Sequence, residues 1–175
     1  IISHFHADHI AGLLDFPKAQ GIVSLSAMND VMGRSGFGAL RRAFLPDLLP
    51  TNFHQEAWKL AKFPDEPLTA LGPTKDLSGD GLLLAVPLPG HARGQIGLLA
   101  RTSNLGTVFL VADAAYSVKA IQENRPPHPI TALFADDYKA GKRTLTALQA
   151  FAQAHPEITL CPTHDPLPEC EEVAP

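Results

Sequence analysis

The sequence predicts an α/β domain in which helices cover a sheet, and three observations carry that expectation. Short apolar runs with strand character alternate with segments of helical periodicity. A composition of 45% hydrophobic and 18% charged residues is that of a packed core and not of a disordered chain. The 16 prolines gather between the apolar runs, where a missing N–H and a restricted preceding residue do no harm. A chain of 175 residues suits one domain, expected to span residues 1–175.

Taken in order, the segment from Ile1 to His6 reads as extended, with a helix opening near Asp8. Gly21 to Ser26 alternates with a strand period, and Ala27 to Met32 reads as a helix. Gly33 to Pro73 holds Pro46, Pro50, Pro64 and Pro67 and is expected to be loop-rich with at most short helices. Gly81 to Leu88 fits a buried strand. Gln95 to Arg101 and Thr107 to Ala112 read as strands joined by a turn containing Asn104 and Gly106. The clearest helix runs from Asp137 to His155. It has Asp136 or Asp137 as N-cap, Leu145, Leu148 and Phe151 on one face, and Pro156 as a stop. Glu157 to Pro162 is the last strand.

Charge narrows the function classes. Fourteen Lys and Arg against 18 Asp and Glu give a net charge of −4, with no basic footprint for nucleic acid and no polybasic patch for a membrane surface. The expected partner is a small-molecule substrate; a homodimer is left open. No apolar run approaches the roughly 20 residues of a spanning helix. Two cysteines, Cys161 and Cys170, are too few for a disulfide scaffold and fit a reducing, cytoplasmic setting. The chain opens on Ile1-Ile2 and not on Met, so a preceding segment is expected, and with it an export signal is left open.

The chemistry is concentrated at the front, in Ser3-His4-Phe5-His6-Ala7-Asp8-His9. In an extended segment His4 and His6 point to the same side, because side chains alternate with period two. If the chain then turns into a helix near Asp8, Asp8 and His9 face the same hollow from the other side, which makes two adjacent ligand sets. Imidazole nitrogen and carboxylate oxygen suit Zn²⁺, with Mn²⁺ or Fe²⁺ accepted by the same donors. Three more candidates each follow a strand: His91 in Pro89-Gly90-His91, Asp113 in Val111-Ala112-Asp113, and His164 in Thr163-His164-Asp165. Open α/β sheets build their sites in the first loops after strands.

His-x-His-x-Asp-His, then Pro-Gly-His, then a strand-end Asp and a late His-Asp resembles the metallo-β-lactamase superfamily, with the match spanning residues 3 to 165. The resemblance implies an αββα sandwich with two divalent metal ions at one sheet edge, N-terminally truncated here, because members carry a strand-rich segment before the first motif. It also implies that His4, His6 and His91 hold one metal, that Asp8, His9 and His164 hold the second, and that Asp113 bridges them. Two dications in that arrangement lower the pKa of a water held between them, giving a bridging hydroxide as nucleophile, with Asp8 as proton acceptor or shuttle.

Tyr116, three residues after Asp113, is the second candidate catalytic residue, since its phenol can hydrogen-bond a substrate carbonyl or a developing oxyanion. The acyl-homoserine lactonases of the superfamily carry a similar Asp-x-x-Tyr. The expected activity is therefore a dinuclear metal-dependent hydrolase of a lactone, ester or thioester. The alternatives are an iron-dependent oxidoreductase on the same fold, similar to persulfide dioxygenases, and a non-catalytic metal-binding fragment. Phe37 to Phe53 is expected either to line an acyl-chain pocket or lid, or simply to cover the core. Gln95 stands where lactonases and thioesterases of the fold often carry a second His, so support around the ligands is expected to differ.

Overall fold

In the computed structural model, which describes residues 1–50, 53, 59–61, 63, 67–69 and 71–166, a mixed five-stranded sheet carries most of the architecture. The helices are α1 (Ala7–Ile10), α2 (Leu25–Val31), α3 (Gly36–Leu40), α4 (Val118–Gln122) and α5 (Tyr138–Ala154). The strands are β1 (Ile22–Ser24), β2 (Lys59–Ala61), β3 (Pro67–Thr69), β4 (Gly72–Pro73), β5 (Lys75–Asp76), β6 (Leu83–Pro87), β7 (Ile96–Arg101), β8 (Thr107–Ala112) and β9 (Thr159–Pro162). The main sheet has the order β5-β6-β7-β8-β9, while β1-β2 and β3-β4 form separate two-stranded pairs.

Strand directions decide where the chemistry lies. β6 and β8 are each antiparallel to β7 and so run the same way, and β9 is parallel to β8. The C-terminal ends of β6, β8 and β9 therefore emerge at one edge, and His91, Asp113 and His164 follow them. A parallel β8-β9 pair needs a long crossover, and α4 and α5 supply it. Leu145, Leu148 and Phe151 of α5 pack with Ile121, Val86, Phe109 and Val111 in one apolar cluster. Each such side chain contributes about 1.5–3 kcal/mol on full burial, so α5 is firmly seated.

A second cluster joins Ile2, Phe5 and Ile10 to Val23, Met28, Phe44 and Phe53. It anchors the N-terminal segment, whose backbone also bridges β1 and β7: Ile2 N donates to Ile22 O at 2.9 Å and Ile96 N donates to Ser3 O at 3.0 Å. Ile2, His4 and Phe5 are all buried while Ile1 is exposed, so this extended segment is covered on both faces.

Most expected elements form, with instructive differences. Helix α5 has the expected bounds, with the Asp137 carboxylate accepting from Ala140 N at 2.9 Å. The strand expected over Gly21 to Ser26 stops at Ser24, because Ser24 Oγ accepts from Ala27 N and caps α2, which starts two residues before Ala27. The strand expected over Gly81 to Leu88 is trimmed to Leu83–Pro87. The loop-rich stretch up to Pro73 also holds strands β2, β3 and β4, too short to give a period. Helix α4 was not legible either; Ser117 caps it and Asp165 Oδ2 accepts from Val118 N at 2.7 Å, a partner 47 residues away. Pro64, His54 and Cys170 lie outside the described residues. Among the described residues no helix is long and apolar enough to cross a membrane.

Candidate metal centre

All seven expected ligands converge. Potential ligand atoms of His4, His6 and His91 lie within 4.8 Å of one another, and so do those of Asp8, His9, Asp113 and His164. Asp113 touches both groups: Oδ1 is 3.1 Å from His9 Nε2, and Oδ2 is 3.4 Å from His91 Nε2 and 3.2 Å from His164 Nε2. On the exposed side, Asp8 Oδ2 lies 3.6 Å from His9 Nε2 and 3.8 Å from His164 Nε2. Helix α1 is a single turn, sufficient to swing Asp8 and His9 across from the extended His4 and His6.

Local geometry holds each group. Ala112 ends β8 with φ +50°, at a register irregularity against β9, and this strained residue turns the next side chain, Asp113, into the centre. The loop bearing His91 is tied to the start of α5: Asp137 N donates to Gly90 O, Asp136 N donates to His91 O, and Thr144 Oγ1 donates to Pro89 O at 2.6 Å. Gln95 is buried and donates to Leu88 O at 3.3 Å, so it braces the end of β6.

Among the described residues, His4 Nε2, His9 Nε2 and Asp113 Oδ1 are buried polar atoms of this centre to which no hydrogen bond is assigned. His9 Nε2 and Asp113 Oδ1 face each other at 3.1 Å. His6 Nδ1 and His91 Nε2 face each other at 2.9 Å. Orphaned nitrogens and carboxylate oxygens gathered in two groups are costly without a cation, and they match the donor set of Zn²⁺ or a similar divalent ion. The residues fit the metals that the motif implies.

The electrostatics agree. Burial, reinforced by the neighbouring imidazoles, lowers His4 from 6.5 to about 2 and His6 from 6.5 to about 4, and burial also lowers His91. These rings are neutral at neutral pH, as ligands must be. Burial pulls His9 down, but Asp113 and Asp8 outweigh it and leave the ring raised. Burial pushes Asp113 up, yet its contacts with His9, and then His91 and His4, hold it well below the usual carboxylate range.

Without metal, these lowered imidazoles make the fold less stable in acid. Between the folded values of His4 and His6 and their ordinary value of 6.5, the unfolded chain binds more protons, so acidification favours unfolding. Raised His9 acts in the opposite direction but is one ring against three. Tm is expected to fall from about pH 7 to about pH 5; a constant or rising Tm in a thermal melt would contradict this.

Ser3 is a residue that the motif displayed without a role. Its Oγ lies 3.2 Å from His4 Nδ1 and 3.3 Å from His9 Nδ1. With two lone pairs the hydroxyl accepts from both Nδ1–H groups. That tautomer, assigned from the hydrogen-bond pattern, leaves both Nε2 atoms free as ligands. One serine thus orients one ligand in each group. Ser3→Ala is expected to weaken metal affinity about 10–100-fold, read by chelator competition, whereas Ser3→Thr keeps the oxygen and most of the affinity.

Beside the centre lies a cavity of about 190 Å³, whose walls include His6, His91, Asp113 and Tyr116. The Tyr116 ring is 5.7 Å from that of His164 and 6.2 Å from that of His91. Burial, then Asp113 and Asp8, raise its pKa, so the phenol stays protonated. The Phe37 to Phe53 stretch divides between its two expected roles. Phe44 and Phe53 are buried against Phe5, while Leu40, Arg41 and Ala43 line the cavity. The remaining histidines stand apart: His128 Nδ1 accepts from Ile130 N, and His155 caps α5 beside Glu157. Cys161 is buried in β9.

The pattern of the Metallo-beta-lactamase superfamily matches residues 1–164. The chain is 29% identical over 168 residues to the N-acyl homoserine lactonase AttM of Rhizobium radiobacter, covering 94% of this chain and 56% of that protein. It is 30% identical over 129 residues to AttM of Azorhizobium caulinodans, covering 71% and 44%. The chain spans about half the length of these curated relatives. Among solved structures it resembles an N-acyl homoserine lactone hydrolase with N-hexanoyl-L-homoserine at its catalytic metal centre, with TM-score 0.68, 19% identity, and coverage of 94% and 54%. A quorum-quenching N-acyl homoserine lactone lactonase gives TM-score 0.67, 18% identity, and coverage of 94% and 56%. These structural likenesses show a shared fold.

Proposed function

Because the chain belongs to the metallo-beta-lactamase superfamily, we propose that it carries the metal centre of a dinuclear hydrolase that opens a lactone, ester or thioester, with an acyl-homoserine-lactone-like substrate favoured. The observation that carries this reading is one carboxylate, Asp113, in reach of imidazoles from both ligand groups. A complete second group of Asp8, His9, Asp113 and His164 favours two metals over the single iron of a dioxygenase. The AttM relatives are N-acyl homoserine lactonases by name, which supports the substrate class.

His4, His6 and His91 would hold one ion, and Asp8, His9 and His164 the other, with Asp113 shared. Zinc is the proposed metal, from the mixture of imidazole and carboxylate donors. When bound, such ions polarise a carbonyl and acidify water. The protein supplies the rest. Asp8, with its side chain 58% exposed, is reachable from solvent and can take up and release a proton at its carboxylate. Protonated Tyr116 can donate its O–H to the substrate carbonyl oxygen and hold it as negative charge develops. The cavity beside it binds the remainder of the substrate and excludes water.

The test pairs metal analysis with turnover. About two equivalents of metal per chain are expected, with hydrolysis of at least one member of a lactone, ester and thioester panel, abolished by His9→Ala. A folded, intact protein that binds no metal would sink the proposal. Oxygen consumption with a persulfide by iron-loaded protein, without hydrolysis, would favour the oxidoreductase instead.

A further inference from the structure

The cavity beside the metal centre contains charges that its neutral-lactone reading does not use. Arg41 and Lys142 both line it, together with apolar Leu40, Ala43, Pro127 and Phe134. Among the described residues neither cation has an ion-pair partner. The carboxylates behind them are already committed. Asp30 pairs with Arg34 at 3.0 Å and Arg42 at 3.5 Å, and Asp136 pairs with Arg42 at 2.9 Å and Arg93 at 3.2 Å. Three guanidiniums therefore share two carboxylates, which leaves nothing over for Arg41. Asp137 caps α5 through Ala140 N. Among the described residues lining the cavity, the one carboxylate is Asp113, which is engaged with His9, His91 and His164.

We propose that Arg41 and Lys142 form a carboxylate-binding subsite, so that the preferred substrate carries an anionic group joined by a short apolar stem to its scissile bond. This deepens the hydrolase reading and rests on it for the reaction, though not for the binding. The apolar walls accept the stem, and the two solvent-exposed cations, both lining one cavity, sum their attraction for a carboxylate. Arg41 offers a planar fork that matches a carboxylate in bidentate fashion, and Lys142 adds a point charge from the neighbouring helix.

Binding can be read without turnover. The probes are a straight-chain diacid monoamide and its methyl ester, which have the same length and a hydrolysis-resistant amide. Titration calorimetry on the metal-loaded protein is expected to show the acid binding about tenfold more tightly than the ester at low salt. At about 0.5 M NaCl the preference should shrink, because exposed charges are screened. Arg41→Ala and Lys142→Ala should each reduce it, and the double variant should remove it while retaining ester affinity. Equal affinities in the unmodified protein would overturn the proposal. So would a preference that survives in the double variant, since the metals would then be holding the carboxylate. A protein that discriminates the two probes but hydrolyses nothing would retain the subsite and lose the hydrolase reading.

Discussion

Asp113→Asn is expected to lower hydrolytic activity by about a thousandfold or more and to reduce bound metal from about two equivalents toward one. Asparagine keeps the shape of the side chain, so the strained approach through Ala112 survives. What changes is the charge and one of the two oxygens. Asp113 faces His9 through Oδ1 and both His91 and His164 through Oδ2. An amide can present one oxygen to one side and must present an NH₂ to the other, where a donor meets imidazole nitrogens required as ligands. An ion held on that side would lose a ligand and the neutralising charge together. Elemental analysis reads the metal loss independently of any substrate. Retention of two equivalents with unchanged turnover would show that Asp113 does not bridge.

The clustering of these side chains was legible because a metal site would demand particular atoms at short range. His-x-His-x-Asp-His can be read from a strand period followed by one helical turn, and that is how His4, His6, Asp8 and His9 are disposed. His91, Asp113 and His164 were legible through their positions after apolar strands, since parallel directions bring strand ends to one edge. What escaped depends on partners distant in sequence. Nothing near Ser3 announces that its hydroxyl will meet both His4 and His9. Helix α4 is five residues long, and part of its N-terminal capping comes from Asp165. Lys142 looks like any solvent-exposed helix residue until α5 is set against the loops after β6 and β8. Short strands such as β3 and β4 carry no period to detect.

The seating of α5 also fixes the loop that bears His91. Gly90→Ala is expected to destabilise the protein by about 3 kcal/mol or more and to weaken metal binding at His91. Gly90 has φ +138°, which side-chain-bearing residues rarely adopt, and an added Cβ would strike the backbone of Gly141. Helix α5 cannot withdraw cheaply, because Leu145, Leu148 and Phe151 hold it in the core. The loop would have to move instead, breaking the bonds from Asp137 N to Gly90 O and from Asp136 N to His91 O that fix His91. The reciprocal change behaves differently. A Cβ on Gly141 would sit 3.7 Å from Gly90 Cα, an ordinary contact, and alanine within a helix gains about 1 kcal/mol over glycine. Gly141→Ala should therefore leave Tm unchanged or raised and metal content intact, while Gly90→Ala lowers both. If the two variants lose stability equally, the close approach of this loop to α5 is not what positions His91.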